Sequence, residues 1–154
     1  MRRRRPDQRT ILPDTIYKDL SVAKFINYIM DSGKKGTAEK IFYGAMDIIQ
    51  NKTKTDGIKI FKKGIENTSP SVEVKSRRIG GATYQVPIEV PRKRSFYLAS
   101  LWIISASKRS SGKPMAEKLA SELIAAANGD GNAIKKKEDT HRMADANKAF
   151  AHFR

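Results

Sequence analysis

His141 and His152 are the side chains best suited to move a proton near neutral pH, and they are the only two histidines in the chain. They stand eleven positions apart, which fits no usual metal-ligand spacing. Glu138, Asp139 and His141 form the one apparent acid–base cluster. On a helix, residues one or two apart do not face each other. Glu138 does share a face with His141 and Arg142, and a surface ion pair accounts for that pattern. There is no cysteine, no GxxxxGK[ST] or GxGxxG phosphate loop, and no serine in a GxSxG elbow. Gly80-Gly81 suits a turn better than a phosphate cradle. The sequence therefore points to no catalytic residue, no metal site and no cofactor.

The chemistry that the sequence does repeat is phosphate binding. Cations cluster at Arg2–Arg5, Lys34-Lys35, Lys75 with Arg77 and Arg78, Arg92–Arg94, Lys108-Arg109 and Lys135–Lys137. The chain carries 31 Lys+Arg against 16 Asp+Glu, a formal charge of +15. A compact chain with that charge repels itself unless a polyanion neutralises it, and phosphate backbones do so with release of counterions. The clusters fall at helix ends, in loops and on a hairpin, from which long side chains reach phosphates. A membrane surface is a less suitable partner, because no long basic amphipathic helix or lipidation motif is present. No apolar run approaches the roughly 20 residues that span a bilayer. The opening MRRRRPDQR lacks a following apolar stretch of the kind an export signal needs, so the expected compartment is the cytoplasm.

RNA is favoured over DNA, since no helix-turn-helix, zinc finger or basic zipper is visible. Convergent phosphates in folded RNA suit arms and loops of this kind. Tyr84 could stack on a base or pack across the hairpin. Trp102 and Phe96 fall in an apolar helix and read as core. Two alternatives stay open at this level: a free nucleic-acid architectural protein, and an RNA-processing enzyme that uses His141.

These residues must be placed by a mostly α fold, a bundle of about six helices. Residues 1–13, with Arg2, Arg3, Arg4, Arg5 and Arg9 beside Pro6 and Pro13, read as a disordered basic extension. Residues 14–154 read as a single helical domain. The first helix runs from Leu20 to Met30 and stops at Gly33. The second carries Ala38, Ile41, Phe42, Ala45, Met46, Ile48 and Ile49 at helical spacing. The third, about Ile58 to Glu66, turns Ile58, Phe61 and Ile65 inward, although Gly64 weakens it. The period then changes to two, and a β-hairpin arm at about 71–90 turns at Gly80-Gly81. Pro87 restricts it to edge strands. A fourth, very apolar helix ends near Lys108-Arg109. A fifth starts at Pro114, a first-turn proline. A sixth, about Ala133 to Phe150, has Asn132 as its N-cap and only Met143, Ala146 and Phe150 as an inward stripe. So polar a helix should lie on the surface and meet a partner.

The run PSVEVKSRRIGGATYQVPIEV, residues 70–90, resembles the signature of the bacterial small-subunit ribosomal protein family number seven. RRRRPDQRTILPD resembles that family's N-terminal arm, and AKFINYIMDSGKKGTAEKI its first two helices and basic loop. RKRSFYLASLWIISASKR and KPMAEKLASELIAAANGDGNAIKKKEDTHRMADANKAFAHFR extend the likeness over essentially the whole chain.

The resemblance implies a helical bundle with an extended hairpin that binds the 3′ major (head) domain of small-subunit rRNA and nucleates head assembly. It implies a place near the exit site, with tRNA, mRNA and neighbouring head and platform ribosomal proteins as partners, in the cytoplasmic ribosome. Carried over by residue, Arg2, Arg3, Arg4, Arg5 and Arg9 would enter rRNA. Lys34, Lys35, Lys75, Arg77, Arg78, Arg92, Arg94, Lys108 and Arg109 would grip it elsewhere. Arg78, Gly80, Gly81, Arg142, Met143 and Lys148 would lie nearest tRNA and mRNA. The chain departs from the family in its arm before Ile11 and at Phe153, where tyrosine is common.

Overall fold

A computed structural model describes residues 9–153, so residues 1–8 of the expected arm, with Arg2–Arg5, lie outside the described residues. By its internal packing the chain divides into two units, residues 1–39 and 40–154.

In the first unit, the buried Asp14 carboxylate accepts hydrogen bonds from the Ile16 and Tyr17 amides at 3.1 and 3.0 Å, which folds a tight turn. Asp19 then caps helix α1, Leu20–Ile29, by accepting from the Ser21 amide at 2.7 Å. Val22, Phe25, Ile26 and Ile29 recur at helical spacing and are buried. The helix ends before the turn at Ser32 and Gly33, where φ is +49° and +74°. Lys34 stays in that loop, and helix α2, Lys35–Thr53, begins beside it.

In the second unit, α2 buries Phe42, Ala45, Met46 and Ile49. It continues to Thr53, further than its apolar stripe, because Thr53 Oγ1 donates to the Ile49 carbonyl and Lys54 closes the end with φ +56°. Asp56 caps helix α3, Gly57–Thr68. Phe61 on α3 meets the Phe42 ring edge-on, with centroids 5.4 Å apart. Gly64 is in place for packing. A β-carbon there would come within 3.2 Å of the Leu123 carbonyl oxygen on helix α5, Met115–Ala127.

Strands β1, Val72–Ile79, and β2, Ala82–Glu89, form an antiparallel two-stranded sheet between α3 and helix α4, Arg92–Arg109. Pro87 faces Val74 and costs nothing to a third strand, since both strands are edges. Gly80 and Gly81 both take positive φ, +56° and +90°, as a two-residue hairpin turn requires.

Helix α4 packs on α3, α5 and helix α6, Asn132–Ala146. It buries Leu98, Ala99, Ile103, Ile104 and Ala106. Phe96 and Trp102 are only half-buried and Leu101 is exposed, so the reading of both aromatics as core is corrected: α4 is covered on one side only. The sixth helix differs from expectation in three ways. Its N-cap is Gly131, not Asn132; the buried Glu122 carboxylate instead accepts from the Ala133 amide at 2.8 Å. Its buried positions are Ala133, Ile134, Thr140 and Ala144, so Met143 and Ala146 face outward and Ile134 faces inward. It also ends at Ala146, where the Asn147 side chain donates to the Met143 carbonyl at 2.7 Å, and a terminal 3-10 helix, Lys148–Phe153, follows.

Candidate nucleic-acid interface

The hairpin is anchored at its base and exposed at its tip. Near the base, Glu73, Val86 and Pro87 are buried, whereas every residue from Lys75 to Thr83 is exposed. Glu73 is a buried carboxylate in need of a counter-charge, and it receives two cations. Arg94 on α4 donates to its Oε2 through Nε and Nη2 at 3.3 and 3.2 Å, and Lys75 Nζ lies 3.4 Å from its Oε1. Arg94 also covers the Tyr97 ring, 5.4 Å from its centroid. A buried carboxylate left alone is costly, so this triad fixes the strand to the start of α4. Arg94 and Lys75 therefore hold the arm as well as adding to its charge.

Beyond the base, the register places Arg77 opposite Tyr84 and Arg78 opposite Thr83, two pairs short of the turn or nearer. Both arginines are exposed, and so are Gly80 and Gly81. Tyr84 reaches across to the terminal 3-10 helix and meets the Phe150 ring with centroids 5.3 Å apart. Tyr84 therefore packs within the protein, and Phe150 is one of its partners. That ring pair joins the two elements carrying Arg78, Gly80, Gly81 and Lys148. Arg142 is exposed on α6 and pairs with Asp139 at 3.6 Å, so the expected Glu138 pairing is replaced. Met143 is 48% exposed beside it.

The other predicted cations divide between exposed ends and internal duties. Arg92 and Lys93 open α4, Lys108 and Arg109 close it, and all four are exposed. Of Lys135–Lys137, only the first two are exposed. Lys137 donates to the Asn67 carbonyl, while the Asn67 amide donates to the Ala126 and Ala127 carbonyls at the end of α5, both at 3.0 Å. In the first unit, Arg9 and Lys35 line one groove of about 460 Å³ with Ile11, Asp14 and Glu39, and Lys34 is exposed in the adjoining loop. Lys35 lies 3.9 Å from Glu39.

His141 does no proton chemistry visible in this geometry. Its Nε2 accepts a hydrogen bond from the Ser71 amide at 3.2 Å, which ties α6 to the start of β1. Among the described residues, no group of three or more His, Asp or Glu side chains could hold a metal ion. No described helix is long and apolar enough to cross a membrane.

The roles of Glu73, Asn67 and Glu122 depend on partners distant in sequence: Ala133 is 11 positions from Glu122, Arg94 is 21 from Glu73, and Lys137 is 70 from Asn67. Only a buried acid beside basic runs could have flagged Glu73.

The family model for ribosomal protein S7p/S5e matches residues 1–148. The chain belongs to that family. Its relatives include the small ribosomal subunit protein uS7 of Gemmatimonas aurantiaca, 60% identical over 99% of this chain and 98% of the relative. The protein of the same name from Thermotoga petrophila is 58% identical over 100% of this chain and 99% of the relative, and one from an Anaeromyxobacter species is 58% identical over 99% and 98%. S7p/S5e membership makes the chain a ribosomal protein, a structural component and not an enzyme. RNA binding and a part in translation follow from the family.

Proposed function

We propose that the chain is a structural constituent of the small ribosomal subunit that binds the 3′ major (head) domain of its rRNA and nucleates head assembly. Its relatives are small-subunit proteins that match it end to end. The observation that carries the reading is the hairpin: a base clamped by Glu73, Arg94 and Lys75, and an exposed tip bearing Arg77 and Arg78. A rigid arm pays its ordering cost before binding, so its charges meet phosphates at little further entropic loss.

Under this reading Arg9, Lys34 and Lys35 grip rRNA from the first unit, together with Arg2, Arg3, Arg4 and Arg5 of the arm. Arg77, Arg78, Arg92, Lys108 and Arg109 do so from the second, with Lys75 and Arg94 adding charge at the hairpin base. The tip at Gly80-Gly81, with Arg78, Arg142, Met143 and Lys148, approaches exit-site tRNA and mRNA. Neighbouring ribosomal proteins of the head and platform complete the surroundings, in the cytoplasmic ribosome. Binding to isolated head-domain rRNA, compared with the other rRNA domains at matched salt, tests the reading. Selective binding supports it; equal binding to all domains would leave only non-specific charge attraction.

A further inference from the structure

Between α4 and α6 lies a groove of about 190 Å³ whose walls include Leu101, Trp102, Ala106, Arg109 and Lys136. Trp102 shares a face of α4 with Arg109, seven positions on, and Lys136 faces them from α6. The indole is half-buried, Leu101 is 41% exposed, and Arg109 and Lys136 are exposed. Among the described residues neither cation has a carboxylate partner. The indole N–H has no acceptor there and is open to solvent. A second cleft of about 290 Å³ shares Arg109 and is polar, with Ser110, Lys118, Ser121 and Glu122 in its walls. Its single acid, Glu122, already accepts from the Ala133 amide.

We propose that these two clefts hold one unpaired RNA nucleotide and its neighbouring backbone, with the base stacked on Trp102 and phosphates on Arg109, Lys136 and Lys118. An aromatic face accepts any base, and flanking cations neutralise the adjoining phosphates. The apolar slot is smaller than the roughly 300–1,000 Å³ of small-molecule pockets, which suits a single planar base. A cationic rim followed by a polar cleft matches the alternation of base and phosphate along a strand. An acidic segment of a neighbouring protein would satisfy the cations, but it leaves the flat indole without a matching group.

The inference rests on the rRNA reading only for which strand fills the clefts. Trp102 is the sole tryptophan, so its fluorescence reports on the site alone. The full chain should be titrated with a single-stranded hexaribonucleotide and, separately, with head-domain rRNA. Binding is expected to quench the fluorescence. Trp102→Leu is expected to weaken rRNA binding about tenfold and Trp102→Phe less than about threefold, in keeping with the energies of base–aromatic stacking. Arg109→Gln with Lys136→Gln, both at exposed positions outside the core, should abolish the hexamer quench while circular dichroism stays unchanged. Unquenched fluorescence at saturating hexamer and rRNA would overturn the proposal. So would a signal that changes only when other small-subunit proteins are added, since the occupant would then be a protein segment. Failure of the wild-type chain to select head-domain rRNA would instead sink the parent reading, and the hexamer quench would still decide this one.

Discussion

The Tyr84 ring on the second hairpin strand lies 5.3 Å from the Phe150 ring of the terminal 3-10 helix, tilted 57° to it. The two residues are 66 positions apart in sequence. Their contact makes the terminal 3-10 helix a strut for the hairpin. The Glu73–Arg94 pair holds the base of the same arm.

Phe150→Ala should therefore loosen the arm without unfolding the bundle. An aromatic pair of this kind is worth about 1 kcal/mol beyond its buried area. Hydrogen exchange at Thr83–Val86 is expected to quicken, while amides of α4 and α5 keep their protection. Unchanged exchange along β2 would show that the strut carries no load.

Arg94→Ala removes one of two cations from a buried carboxylate. Arg94 is half-exposed, and Lys75 remains, so solvent screening reduces the penalty to about 1–2 kcal/mol. Arg94→Ala with Glu73→Gln should recover part of that loss, because no buried charge is left behind. Urea titration of the single and double variants gives the comparison, and a double variant less stable than Arg94→Ala alone would contradict it.

Glu122→Ala leaves the Ala133 amide buried without an acceptor at the first turn of α6. The expected loss is about 1–2 kcal/mol, and Glu122→Gln, which keeps an acceptor oxygen, should lose less. Thermal melting of the three proteins would test this order. Equal melting temperatures would mean that water replaces the carboxylate.

Arg77→Ala with Arg78→Ala should weaken binding to head-domain rRNA and lower its salt slope by about 1 for each phosphate that is no longer neutralised. A slope equal to that of the wild type would remove these arginines from the interface.

Much of the fold is legible in the sequence, for identifiable reasons. The apolar spacing of Phe42, Ala45, Met46 and Ile49 is dense enough to mark a helix, and Gly80-Gly81 between alternating arms is enough to mark a hairpin. The sixth helix is harder to read. Its inward face includes Thr140 and the half-buried Lys137, and His141 also turns back towards the hairpin. Their polar ends are satisfied by Lys136, Asn67 and Ser71. Polarity there hides burial, and Met143 draws the stripe to the wrong face. Basic runs show where charge accumulates, but not which members are held internally. Arg94 and Lys137 read like their neighbours until Glu73 and Asn67 are found beside them. Trp102 misleads for the opposite reason: an apolar sequence neighbourhood implies cover that α4 receives on one side only.

The central claim is that this chain sits on small-subunit rRNA and presents its hairpin to the exit site. A crosslink map of the protein on intact, high-salt-washed small subunits tests it most directly. The expected result is stoichiometric retention, with crosslinks from Lys34, Lys35 and Arg92 to the 3′ major domain of the rRNA and from the Gly80-Gly81 tip to tRNA or mRNA. Absence of the protein from washed subunits, or crosslinks confined to another rRNA domain, would contradict it.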